Sequence, residues 1–154
     1  MRVGDLISEL GKRYPECLQE GYDNTGEQIV FSNNEITKVY VSLDVERAVI
    51  TDAIDHGCNL IVCHHPLMFR PVKKILSLET RSSMIIEAVR AGLSIYALHT
   101  NYDRMMFSAL ALELGFPESR VLLEERLYMD ERTGFGSIAD AAVPVKLGDM
   151  LGSV

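Results

Sequence analysis

The stretch LIVCHHPLMF, residues 60–69, decides how the chain is read. The segment NLIVC, residues 59–63, is too short for a helix between Gly57 and Pro66, and it is rich in branched residues. Those features predict a buried strand of the kind found in parallel sheets. The strand runs straight into His64 and His65, two of only four histidines in the chain.

Working outward, Ile36–Leu43 reads as a strand and Val45–His56 as a helix, with Asp44 placed to cap it and Gly57 to close it. Val3, Leu6, Ile7 and Leu10 share helical spacing, so an amphipathic helix is expected to open the chain and end near Gly11. EGYDNTGEQIVF then reads as a turn-rich loop entering a strand at Gln28–Phe31. Downstream, a helix over Glu79–Ala91 ends at Gly92, LSIYALH forms another strand, and Arg104–Leu114 reads as a helix stopping at Gly115. This alternation implies an α/β fold with a largely parallel sheet and flanking helices, taken as one domain over 1–154. Leu147, Met150, Leu151 and Val154 are spaced like the buried face of a helix. So short a helix needs neighbours to bury it, either its own core or residues supplied from beyond this stretch.

Composition narrows the function classes. The 154 residues are 47% hydrophobic and 24% charged, ordinary for a globular domain with a real core. A formal charge of −7 argues against general affinity for nucleic acid or an anionic membrane. Arg70, Lys73 and Lys74 are the only hint of a basic patch. The N-terminal MRVGDLISELGKRY lacks the apolar core of a signal peptide, and no apolar run is long enough to cross a bilayer. Three cysteines, an odd number without CxxC spacing, read as free thiols in a reducing compartment, so a cytoplasmic location is expected.

In a parallel α/β sheet, ligands bind beyond the carboxyl ends of the strands. His64 and His65 lie just past one such end and His99 at the next, 34 positions after His65, about one βαβ unit. Asp103 follows His99 by four, which places both on one face if a helix begins there. Three imidazoles and a carboxylate on one rim are natural ligands for zinc, iron, manganese or nickel. Paired ions of this kind activate water for hydrolysis. Blander roles exist for the neighbours: Cys63 as packing, Asp23 to Gly26 as a turn, and His56 as the end of a helix. No GxSxG, GxxxxGKS or GxGxxG motif is present.

GYDNTG, SLDVERAVITDAIDHGCNLIVCHHPLMF and IYALHTNYD, in that order, resemble the Nif-three-like family of dinuclear metal centre proteins, whose members are often labelled GTP cyclohydrolase I type 2. The resemblance runs from the first helix to about Asp103 and more weakly to the end. It implies one of two related α/β lobes enclosing two divalent metal ions, with subunits assembled as homo-oligomers, often a hexameric ring. It assigns His64, His65 and Asp103 as metal ligands. His99 lines the same site as a catalytic residue: an orienting group, a third imidazole ligand or a proton shuttle. The chain departs from the family pattern in having no HxxxE, nor any histidine, after residue 103. RMMFSALALELG lacks a usual glycine and asparagine, and GFGSIADAAVP a usual arginine. The expectation is therefore a first lobe, a short member, or half of a two-chain version.

The function expected is a metal-dependent hydrolase acting on a small molecule. Opening of a nucleotide's purine ring is the activity the label suggests, with Arg70, Lys73 and Lys74 as the visible phosphate-side candidates. The rival expectation is a metal carrier or regulatory binding protein without turnover, or a partial lobe inactive by itself. No nucleic-acid or membrane partner is expected.

Overall fold

The structure, a computed structural model, describes residues 1–152, without the side chain of Leu151. Its contacts sort the chain, read above as one domain, into two compact units, Met1–Asn101 and Tyr102–Val154.

The first unit contains α1 (Val3–Arg13), a single 3-10 turn at Glu16–Leu18, β1 (Gly26–Ile29), β2 (Val39–Ser42), α2 (Arg47–Asp55), β3 (Leu60–Cys63), α3 (Thr80–Arg90) and β4 (Ser94–Ala97). The strands form one sheet in the order β1-β4-β3-β2. β2, β3 and β4 run parallel, while β1 pairs antiparallel with β4. The α/β class with a mostly parallel sheet is thus as the sequence indicates.

Alternation along the strands builds the core. Ile61, Cys63, Ile95 and Ala97 face one side, where they pack with Ile50 and Ala53 of α2 and Ile85 and Ala88 of α3. Tyr96 faces the other side, its hydroxyl against Gly11 of α1. β3 and β4 are central and almost wholly buried, which explains their unbroken apolar runs. Gly57 and Gly92 close α2 and α3 at φ +71 and +65, a left-handed conformation that costs glycine least. The Glu79 carboxylate caps α3 by accepting from the backbone N–H groups of Arg81 and Ser82.

α4 (Thr100–Met105) begins at the end of the first unit and continues into the second. The second unit also holds α5 (Ala109–Glu113), β5 (Ser119–Tyr128), β6 (Glu131–Ala139) and α6 (Leu147–Leu151). The helix expected over Arg104–Leu114 is therefore two short helices, broken around Phe107. β5 and β6, for which the sequence reading had no strand, form an antiparallel hairpin. Its two turn residues, Met129 and Asp130, both have positive φ, the geometry of a type I′ turn built without glycine. Arg104 is fully buried in this unit. Its Nη1 donates to the Glu124 carbonyl at 2.8 Å, and its guanidinium lies 4.3 Å from the Phe135 ring centre. Glu124 sits at φ +52 inside the register shift between Leu123 and Arg126, so the bulge turns its carbonyl toward the buried cation. α6 is present where a terminal helix was expected, and Val154 lies outside the described residues.

Candidate metal centre

Strand register assembles the site. Ser42, Cys63 and Ala97 are aligned across β2, β3 and β4, so the residues after them emerge side by side at the carboxyl edge. Gly26, the first residue of β1, is opposite Ala97, so the antiparallel strand brings its preceding loop to the same edge. Four consecutive strands thus deliver Asp23, Asp44, His64 with His65, and His99 to one rim. The turn after β3 is tied down by its backbone: the His65 N–H donates to the Leu43 carbonyl at 2.9 Å, and the Leu98 N–H to the Cys63 carbonyl at 2.8 Å.

The three histidines converge. One candidate ligand atom from each of His64, His65 and His99 lies within 4.8 Å of the other two. The ring centres are 5.0, 5.1 and 5.6 Å apart and mutually inclined, rather than stacked. Each ring is also held at Nδ1. His64 Nδ1 is 2.8 Å from the Leu98 carbonyl oxygen, His65 Nδ1 is 2.7 Å from Asp44 Oδ1, and His99 Nδ1 is 2.8 Å from Asp23 Oδ1. A carbonyl or carboxylate oxygen only accepts, so Nδ1 carries the hydrogen and the neutral ring presents its lone pair at Nε2. This backing of ring nitrogens by carboxylates and carbonyls is how metal-ligating histidines are oriented.

Asp23 is the most deeply fixed of the orienting groups, its side chain fully screened from solvent. Besides the His99 ring, it accepts from the Thr100 backbone N–H at 3.2 Å and the Thr100 hydroxyl, while the Asn24 N–H donates to Oδ1 at 2.7 Å. Burial alone would push this carboxyl up. The hydrogen bonds from Thr100, His99 and Asn24 outweigh it and hold the group below the ordinary carboxylate value, hence ionised. Asp44 is about half exposed and holds His65 alone.

The donor set fits a divalent transition metal. Three imidazoles with ligand atoms within 4.8 Å of one another would hold such an ion, which would supply Lewis acidity there. Cys63 does not join the cluster. Burial pushes its thiol up to about 12, and its Sγ points to the Tyr96 carbonyl, 3.5 Å away. It is packing, as its place in β3 suggested. His56 ends α2 and bonds to Asp52. Asp103 lies on α4 within the second unit.

Two expectations need correction. Asp44 does not cap α2: Glu46 occupies the cap position without a side-chain bond, and the helix starts at Arg47. Asp23 is not merely a turn residue, since it orients His99 and holds the start of α4. Both carboxylates hydrogen-bond histidines of the cluster, contacts that the sequence did not reveal.

A Duf34/NIF3 (NGG1p interacting factor 3) family profile matches residues 1–154. A Lactococcus lactis protein named GTP cyclohydrolase 1 type 2 homolog is 36% identical over 91% of this chain and 53% of its own length. A Clostridium perfringens protein of the same name is 29% identical over 91% of this chain and 54% of its own. The chain thus spans about half the length of these relatives. Among solved structures, a Bacillus cereus protein related to NIF3 aligns with a TM-score of 0.73 at 33% identity, covering 81% of this chain and 37% of that one. None of the described helices is long and apolar enough to cross a membrane.

Proposed function

The chain belongs to the Duf34/NIF3 family, and from that premise we propose that it binds divalent metal through its histidine cluster and serves a metal-dependent hydrolase reaction. The observation that carries the proposal is the convergence of three imidazoles, each backed at Nδ1 by an oxygen acceptor. His64 and His65, with His99 as a third imidazole, are the proposed ligands of this rim. Asp103 is the proposed carboxylate ligand on the strength of its place in the HTNYD motif.

A divalent ion held there supplies Lewis acidity and makes water a usable nucleophile near neutral pH. The protein's own groups do the rest. As the third imidazole ligand, His99 has its ring orientation fixed through Nδ1 by the ionised Asp23 carboxylate, so it serves metal affinity as well as turnover. Asp44 keeps His65 in the tautomer that can ligate. The name carried by the relatives suggests hydrolytic opening of a purine ring in a nucleotide, and Arg70, Lys73 and Lys74 are the proposed phosphate-side groups. Homo-oligomer formation, with a ring of six subunits as its form, belongs to the same proposal and is read by analytical ultracentrifugation.

The test is turnover by metal-loaded protein on a panel of nucleotides and related amides. His99→Ala should abolish turnover while the protein still folds. Metal bound without turnover on any substrate would instead favour a metal carrier.

A further inference from the structure

Beside the histidine rim stand two aromatic rings that neither the fold nor the metal reading uses. Tyr22 is 68% exposed and Phe69 38% exposed. Their ring centres are 6.3 Å apart and inclined edge to face, and Phe69 is in turn 6.0 Å from the His99 ring, again edge to face. Tyr22, Phe69 and His99 therefore form a continuous line of π surface leading from solvent to the candidate metal centre. A ring left so exposed contributes little to the core, so burial does not explain its position.

Yet the position is fixed from behind. Both backbone groups of Met68, the residue before Phe69, are engaged by side chains from the Tyr22 loop and β1. Asn24 Nδ2 donates to the Met68 carbonyl at 2.8 Å, and the Met68 N–H donates to Gln28 Oε1 at 3.0 Å. Gln28 is itself buried, and its Nε2 donates to the Asn24 carbonyl at 2.8 Å, which closes the network. Polar groups satisfied in this way set one geometry for the Phe69 loop against the Tyr22 loop. A hydrogen-bond network anchored on buried Gln28 thus holds two exposed rings beside the site.

We infer that Tyr22 and Phe69 form a stacking wall that receives a planar heteroaromatic ring and presents it beside His99. Edge-to-face and offset contacts with such a ring are the arrangements aromatic side chains favour, and stacking tolerates any flat π system. The ligand class is therefore a nucleobase or comparable heterocycle. This inference rests on the metal-site reading for its chemistry, but the wall itself is a property of the two loops.

The chain contains no tryptophan, so Tyr22→Trp places a single indole in the wall, and Phe69→Trp is the second reporter if the first fails to fold. Adenosine, guanosine and cytidine are titrated against each reporter protein, with ribose 5-phosphate as the non-aromatic control and metal content measured on the same sample. Saturable quenching by nucleosides but not by ribose 5-phosphate is expected. Adding Phe69→Ala to Tyr22→Trp should weaken it roughly tenfold. A preference for the purines would assign a fused ring, and equal binding of cytidine any flat heterocycle, both within the inference. No quenching up to roughly 10 mM nucleoside, or equal response to ribose 5-phosphate, overturns it. Metal bound without nucleoside quenching would sink the wall and leave the metal reading intact. Quenching in protein that takes up no metal would sustain the wall and tell against the metal reading.

Discussion

Removing the two orienting carboxylates one at a time should produce unequal losses of metal affinity. Substituting a group that orients a metal-bound histidine lowers affinity by about 10- to 100-fold. Asp23 belongs at the upper end. Its side chain is fully screened from solvent, and it fixes the His99 ring together with the start of α4. Asp44 belongs at the lower end, because it is half exposed, makes one bond to a half-exposed ring, and water can take its place. Asp23→Ala should therefore weaken zinc or manganese binding about 100-fold, and Asp44→Ala about 10-fold. Loss of the bonds from His99, Thr100 and Asn24 should also cost Asp23→Ala about 2 kcal/mol of stability. Affinities are read by competition with a chromophoric chelator at a temperature where circular dichroism shows each variant folded. Parent-like affinity in Asp23→Ala, or a greater loss in Asp44→Ala than in Asp23→Ala, would refute the orienting role.

Other expectations follow from single residues. Because the folded Asp23 carboxyl is held below its unfolded value, its stabilising contribution is complete above the unfolded value and lost as pH falls through the folded one. The stability difference between parent and Asp23→Asn should accordingly shrink between about pH 5 and pH 2 in urea titrations, and a constant difference would contradict it. Arg104→Ala removes a fully buried cation from the Glu124 carbonyl and the Phe135 ring, and should lower stability by about 2–4 kcal/mol, seen as a reduced urea midpoint. A thiol-reactive chromophore should modify exposed Cys17 quickly in native protein and leave buried Cys63 unmodified until denaturant is added.

The parts of this account that were legible in the sequence are those encoded locally. LIVC between Gly57 and Pro66 can hardly be anything but a short buried strand, and it is one. The glycines at 57 and 92 mark helix ends because they supply a left-handed residue there. His64, His65 and His99 were placed together by one βαβ unit, which also fixed their common edge. What stayed hidden depends on longer range or on weak local signals. Asp23 meets His99 across 76 positions, and Asp44 meets His65 across 21, through strand register that no short motif reports. Asp44 lies so near a helix start that a cap was the natural local reading. The β5–β6 hairpin turns on Met129 and Asp130 instead of an Asn-Gly or Asp-Gly pair. Its outward residues Leu122, Leu123 and Leu127 also blur the alternation that would have marked a strand.

The most direct test is metal content per chain, by elemental analysis of tag-free protein and of a His64→Ala/His65→Ala variant. Each is equilibrated with zinc, iron or manganese and then dialysed. The account predicts about one ion or more per chain in the parent and near none in the folded variant. Equal metal in both proteins, or none in the parent with any of the three metals, would contradict it.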